Sequence, residues 1–258
     1  MAMTLDLTGR RVLVTGGGQG VGRGLALGFA EAGAQVAVND IAGHRAEAVV
    51  EEVRELGGTA VASVFDVTDY SSVRTAVDAL GTVDVLVNNA GNAGVDGFSG
   101  RGPFAESDPD VWEPYLRVNL YGAMHCSRAV LPAMIEQRWG RVLTVVSDAG
   151  RVGDPGGAAY GAAKAGAAGL TRTIALENGR YGITANNISL GTMRTPATEA
   201  VWADPEAPLA KGILRSYAVR RPGEPDDVAP LAVYLASPQA SWITGQTYPL
   251  NGGFSFAL

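Results

Sequence analysis

The sequence predicts an α/β protein: a doubly wound parallel sheet of about seven strands with helices on both faces. Three observations lead there. Short β-rich runs alternate with helical patterns nearly from end to end. A glycine-rich turn joins the first such run to the first helical pattern. The 258 residues contain no linker-like stretch and no repeat, so residues 1–258 read as one domain.

Arg11 to Thr15 is an apolar run between glycines, hence a buried strand. Gly22 to Ala32 places Leu25, Leu27 and Phe29 among small residues and reads as a helix. A strand at 35–39 follows, then a helix at 45–56 with Ala46, Val49, Val50 and Val53 at helical spacing, stopped by Gly57-Gly58. A strand at 60–67, a helix at 71–80 and a strand at 84–88 come next. Gly91 to Ser107 is glycine-rich and reads as a surface loop, with Ser107 or Asp108 capping the next helix. Residues 110–137 read as one long helix, with Pro114 in its first turn and a kink at Pro132. A strand at 141–147, a helix at 158–178 and a strand at 183–189 lead into an irregular stretch, 191–222. Irregular stretches of that length serve as lids or binding loops. There Trp202, Leu209, Ile213 and Leu214 fit either a cover over an apolar substrate or the packing of a short helix. A helix at 225–236 and a strand at 246–250 complete the pattern.

Composition narrows the function classes. The net charge is −6, which disfavours a phosphate-binding face for nucleic acid. Cys126 stands alone, so no internal disulfide and no cysteine-based metal cluster is expected. The beginning of the chain lacks a signal-peptide pattern, and no apolar run is long enough to span a membrane. The expectation is a cytoplasmic protein with a small-molecule partner and neither nucleic acid nor membrane. His44 and His125 have no companion ligands, so no metal site is expected. Cys126 reads as a buried small residue, Asp108 and Asp110 as caps, and Trp112, Trp139 and Trp242 as packing anchors.

Thr15-Gly16-Gly17-Gly18-Gln19-Gly20-Val21-Gly22 lies at the strand-to-helix turn. Glycines there let a backbone approach a pyrophosphate, and a helix N-terminus offers it free N–H donors. A tight strand–helix connection accounts for the same glycines. Asp40 ends the second strand about 20 residues further on, where a carboxylate accepts from an adenosine ribose. It would repel a 2′-phosphate. Gln19 and Ile41 bring no cation, and Arg45, a turn into the next helix, is expected to face water. The reading is NAD over NADP, although Asp40 also fits an ordinary strand-end carboxylate.

Tyr160 and Lys164 are four apart in a helical pattern and share a face. A tyrosine acting as base near neutrality needs a pKa lower by about three, worth ~4 kcal/mol. A neighbouring ammonium supplies part of that. Of the 20 cationic residues only Lys164 and Lys211 are lysines, so an ammonium at this position is notable. A chance pair on a solvated helix face is the competing reading.

These residues carry a resemblance. Thr15-Gly16…Gly20-x-Gly22, Asp66-Val67, Asn88-Asn89-Ala90-Gly91, Asn119, Ser147, Tyr160-x-x-x-Lys164 and Asn251-Gly252-Gly253, in this order, resemble the short-chain dehydrogenase/reductase family over essentially the whole chain. The resemblance implies a Rossmann-type sheet and an oxidoreductase. It makes Tyr160 the general acid/base and Lys164 the holder of the nicotinamide ribose. Ser147 would donate to the substrate oxygen, and Asn119 would anchor a water that relays the proton. Asp66 and Val67 would meet the adenine, and Asn88, Asn89, Ala90 and Gly91 would line the cleft. Gly191, Thr192 and Thr195 would present the turn at the nicotinamide. It also implies a homotetramer or homodimer. Two departures stand out: Leu190-Gly191 replaces the usual Pro-Gly, loosening that turn, and Asn251 replaces the commoner Asp, a change expected to matter little.

Ser147-Asp148-Ala149-Gly150-Arg151-Val152-Gly153 is similar to the corresponding segment of NAD-dependent dehydrogenases of cyclic β-hydroxyacyl-CoA thioesters. This implies a secondary alcohol, a hydroxyacyl-CoA or an alicyclic or steroid-ring-derived one, as substrate. Arg194, Lys211 and Arg215 would then meet CoA phosphates or simply be solvated. Two alternatives are an NADPH-dependent 3-oxoacyl reductase and a catalytically silent dinucleotide-binding scaffold or sensor.

Overall fold

The computed structural model describes residues 5–91 and 102–256. Seven strands form one sheet in the order β3-β2-β1-β4-β5-β6-β7. They are β1 (Arg11–Val14), β2 (Gln35–Asp40), β3 (Thr59–Val64), β4 (Val85–Asn88), β5 (Gly140–Ser147), β6 (Ile183–Leu190) and β7 (Thr247–Leu250). Every pairing is parallel. The predicted fold class is therefore the observed one.

Both faces of such a sheet must be covered, and the strand alternation shows how. Val12 and Val14 of β1 enter one core while Leu13 enters the other. On the first face lie α1 (Gly20–Glu31), α2 (Gly43–Glu55) and α10 (Pro225–Ala236), which bury Leu25, Phe29, Val49, Val53, Val228 and Ala232. On the second lie α3 (Tyr70–Leu80), α5 (Gly122–Glu136) and α7 (Ala158–Asn178), which bury Val73, Val77, Cys126, Val130, Met134 and Ile174. Burial pushes the Cys126 thiol up to about 12, as expected of an inert core cysteine.

Four sequence expectations need correction. The long helix expected over 110–137 is broken into a 3₁₀ turn at Pro109–Val111, α4 (Glu113–Leu116), a π-helical segment at Arg117–Tyr121, and α5. The π segment shifts the helical phase within only five residues, too short a stretch to mark a break in the apolar pattern. Pro114 does lie in the first turn of α4, Pro132 sits inside a continuous α5, and the Asp108 carboxylate caps Asp110 N–H. The short α6 (Ala149–Val152) has no counterpart in the sequence pattern. The stretch 191–222 is not wholly irregular: it holds a 3₁₀ turn at Pro196–Thr198, α8 (Glu199–Trp202) and α9 (Pro208–Ser216). Trp202 is buried there, whereas Leu209 is exposed. Finally, Trp242 is no packing anchor, being 98% exposed. Trp112 stacks on Phe104, and Trp139 lies beneath the guanidinium groups of Arg10 and Arg141. Most of the expected loop at Gly91–Ser107, residues 92–101, lies outside the described residues.

Phe29 is wholly buried between α1 and the sheet. Phe29→Ala should lower the urea-unfolding free energy by about 3–5 kcal/mol. Leu176→Ala, at an 88% exposed position, should change it by less than about 0.5 kcal/mol.

Candidate active site

The chain runs outward from β1 to β3, returns, and continues through β4 in the other direction. The strand order therefore reverses between β1 and β4, and a crevice opens at their carboxyl ends. Thr15 stitches the two ends together. Its Oγ1 donates to Val87 O and accepts from Asn89 N and Ala90 N, each near 3 Å. Asn89 Nδ2 donates back to the carbonyls of Thr15 and Gly16.

The glycine-rich turn lies along this crevice. A Cβ on Gly22 would sit 2.0 Å from Gly16 O, so α1 approaches the turn closely only with glycine there. Gly16 itself has φ of 61°, a left-handed conformation. Asn39, which sequence reasoning passed over, fixes the turn. Its Oδ1 accepts from Gly16 N, its carbonyl accepts from Gly17 N, and its Nδ2 donates to Ser63 O and Phe65 O. A polar residue interrupting an apolar strand end was the available signal.

Asp40 stands where expected, at the end of β2, and a Cβ on Gly18 would lie 2.6 Å from its Oδ2. The expectation for Arg45 is overturned. Its guanidinium faces the crevice, donating to Asp40 Oδ1 through Nη2 at 2.7 Å and Nε at 3.1 Å, and to Gln19 Oε1 at 3.3 Å. The attraction of the largely buried Asp40 carboxylate at the end of β2 outweighs solvation of the guanidinium. Ile41 is exposed beside them, and Val21 is half-buried in the first turn of α1. Asp66 accepts from Thr68 N, while the Val67 side chain is buried and its carbonyl meets His125 Nδ1.

The reacting end lies at the carboxyl ends of β4 and β5. Ser147 ends β5, and its Oγ accepts from Ala149 N at 3.2 Å, which leaves its own proton to donate. The turn after it packs on α7: a Cβ on Gly161 would meet Ala149 O, and one on Gly150 would meet the Lys164 backbone. Tyr160 and Lys164 share the same side of α7, with Lys164 Nζ 5.8 Å from the Tyr160 ring centre. Lys164 is 5% exposed and donates to Val145 O at 2.9 Å. Burial pushes its ammonium down to about 8. Asn119 is carried by the π-helical segment, its Nδ2 donating to Tyr115 O. A Cβ on Gly91 would lie 2.8 Å from Asn119 Oδ1 and 3.2 Å from Lys164 Nζ, so these groups meet at Gly91. The structure thus brings Asn119, Lys164 and Gly91 to one place, with Tyr160 beside them. Tyr115, which the sequence did not single out, packs edge-on against Tyr160.

Leu190 lies in the ladder opposite Leu250, its carbonyl accepts from Asp148 N, and Gly191 N donates to Leu250 O. Thr192 N donates to the Tyr217 hydroxyl at 2.7 Å. Thr195 abuts the glycine-rich turn, where a Cβ on Gly20 would lie 3.2 Å from its Cγ2. A cavity of about 330 Å³ borders Gly191, Thr192, Tyr217 and Asn251. Two of the three cations considered for CoA phosphates already face carboxylates: Arg194 faces Glu224 and Lys211 faces Glu206.

A switch-point crevice with a glycine turn and an acidic strand end is the arrangement of a dinucleotide site. The comparisons with known proteins give the family. The family profile described as Enoyl-(Acyl carrier protein) reductase matches residues 16–255. The chain is 36% identical over 253 residues to 7alpha-hydroxysteroid dehydrogenase of Escherichia coli (strain K12), covering 96% of this chain and 95% of that one. It is 34% identical over 255 residues to (2S)-[(R)-hydroxy(phenyl)methyl]succinyl-CoA dehydrogenase subunit BbsD of Thauera aromatica, covering 97% and 98%. The crystal structure of a gluconate 5-dehydrogenase from Burkholderia cenocepacia in complex with NADP and tartrate superposes with a TM-score of 0.90 at 34% identity, covering 99% and 98%. The chain belongs to the short-chain dehydrogenase/reductase family. It is an oxidoreductase acting on an alcohol or ketone with NAD(P).

The buried ammonium has a measurable consequence. With a pKa of about 8 when folded and about 10.4 when unfolded, Lys164 lets the unfolded chain hold the extra proton between those values. Stability of the dinucleotide-free protein should therefore rise from about pH 8 to about pH 10 by a few kcal/mol on this account. Urea unfolding of Lys164→Met should lack that rise relative to the parent.

Proposed function

We propose that the protein oxidises a secondary alcohol with NAD, the substrate being a hydroxyacyl-CoA or a cyclic, alicyclic or steroid-ring-derived alcohol. The observation that carries this is the meeting of Lys164 Nζ and Asn119 Oδ1 at Gly91, with Tyr160 on the same helix side. A side chain at Gly91 would fill that space, and one at Gly18 would strike Asp40, so the crevice is shaped to admit a bound dinucleotide.

When bound, NAD supplies the acceptor for the hydride leaving the carbinol carbon. The chain's own residues handle the proton and the orientation. Tyr160, as phenolate, takes the hydroxyl proton. The Ser147 hydroxyl, whose oxygen accepts from Ala149 N, donates its proton to the same substrate oxygen. Lys164 holds the ribose hydroxyls and favours the phenolate. Asn119 positions the water that passes the proton outward. In the crevice, Gly16, Gln19, Gly20, Val21 and Gly22 hold the pyrophosphate, Asp40 and Ile41 the adenosine ribose, and Asp66 and Val67 the adenine. Asn89, Ala90, Gly91, Gly191, Thr192 and Thr195 line the nicotinamide end. Residues 191–222 act as the lid of a single catalytic domain. The printed name of the Thauera relative, a CoA-thioester dehydrogenase, supports the thioester reading. Exposed Tyr121, at the end of the π-helical segment, and Met124 on α5 suit burial in a homo-oligomer.

Tyr160→Phe should lower turnover by about a thousandfold or more, with NAD affinity nearly unchanged. The assay is nicotinamide absorbance with a panel of cyclic and branched β-hydroxyacyl-CoAs and the matching free alcohols. Wild-type rates in that variant would contradict the acid/base role, and equal rates with and without CoA would remove the thioester.

One observation favours a second reading, an NADPH-dependent 3-oxoacyl reductase: Arg45 is within reach to neutralise a 2′-phosphate. The two are separable by dissociation constants from NADH and NADPH fluorescence. NADH should bind tighter, Asp40→Ala should narrow the gap by on the order of tenfold, and Arg45→Ala should weaken NADPH more than NADH. Tighter NADPH binding by the parent protein would favour the reductase.

A further inference from the structure

Asp148 follows Ser147 and is 3% exposed. Its Oδ1 accepts from Ser189 Oγ and Arg151 Nη1, both at 2.8 Å. Its Oδ2 accepts from Asn251 Nδ2 at 2.6 Å and Ser255 Oγ at 2.9 Å. Arg151 also donates to Ser255 Oγ and Phe256 O. One carboxylate thus ties the Ser147 turn, the end of β6 and the segment 251–256. The ties continue to the other side of the site. Phe254 packs edge-on against Tyr217, whose hydroxyl accepts from Thr192 N.

Asn251 is not a neutral replacement in this setting. Its Oδ1 accepts from Gly253 N, which an aspartate would also do. Its Nδ2 donates to Asp148, which an aspartate cannot do. An aspartate there would place two buried carboxylate oxygens 2.6 Å apart, and carboxylates that close share a proton instead of both ionising. Among the described residues, the charged or titratable groups facing the pair are Arg151 and, beyond Asn251, Tyr217, which approaches Asn251 across Gly191.

We propose that Asp148 is a positioning residue: paired with Asn251, it latches the C-terminal segment onto the Ser147 turn and thereby holds the Ser147 hydroxyl at the substrate oxygen. The positioning role rests on the dehydrogenase reading proposed above; the latch does not. The sequence carries a matched pair, an acid at 148 and an amide at 251, and exchanging the two preserves the match.

The test uses the full chain, as Asn251→Asp and as the exchange variant Asp148→Asn/Asn251→Asp. Thermal melting is followed from about pH 5 to about pH 8. Turnover is followed with NAD and 3-hydroxybutyryl-CoA as probe. Asn251→Asp should melt like the parent at the acid end, where the pair shares a proton, and lose stability progressively as pH rises. The exchange variant should regain the parent's slope. At the alkaline end Asn251→Asp should lose on the order of tenfold in kcat, with KM for NAD nearly unchanged, and the exchange variant should recover most of it. Parallel melting curves for Asn251→Asp and the parent overturn the latch. A shifted melting curve with unchanged kcat overturns the positioning role. No turnover by the parent with NAD and 3-hydroxybutyryl-CoA or the wider panel of β-hydroxyacyl-CoAs and alcohols would instead sink the dehydrogenase reading, with the melting curves still deciding the latch.

Discussion

Lys164 Nζ lies 2.9 Å from the Val145 carbonyl, taken out of water at the seam between α7 and β5. Removing an ammonium from water costs several kcal/mol even after relaxation, and here burial moves its pKa down to about 8. The fold must offset that cost elsewhere. It does so through two dry cores on either side of the sheet, built from strands that are apolar on both faces. The small residues of α7 let the helix lie close: Gly161 and Ala163 are buried, and Gly150 packs on the Lys164 backbone. The lysine is held where its charge acts on its neighbours and little on solvent.

The rest of the site derives from the position of that seam in the sheet. Reversal of strand order at β1 and β4 opens the crevice, and Thr15, Asn39 and Asn89 fasten its lips. Asn119 reaches Gly91 because a π-helical segment carries it. π segments recur where a helix must present a side chain off its regular register. The Asp148 junction does the same for the opposite wall with a charge instead of a backbone irregularity.

The sheet was legible in the sequence because each strand is buried on both faces and each helix follows a glycine or turn. The helices at Ala158–Asn178 and Pro225–Ala236 fall where the apolar spacing puts them. The side-by-side placement of Tyr160 and Lys164 was legible, since residues four apart on a helix share a side by spacing alone. What was not legible depends on contacts between distant segments. Arg45 could not be seen turning toward Asp40, because its helical phase alone points it at water. Asn251 could not be weighed without knowing that Asp148 lies against it, 103 residues away in sequence. Trp242 misled for a related reason: a large apolar residue is most often buried, and this one is not.

The central claim is that the buried ammonium makes the Tyr160 phenol acidic beside a bound nicotinamide. The most direct measurement is an ultraviolet difference titration of phenolate in the NAD complex, with Tyr160→Phe as the blank. The account predicts one tyrosine ionising well below the usual value of about 10, absent from the blank and shifted upward in Lys164→Met. A blank-corrected titration showing Tyr160 ionising with the other tyrosines, indifferent to Lys164, would contradict it.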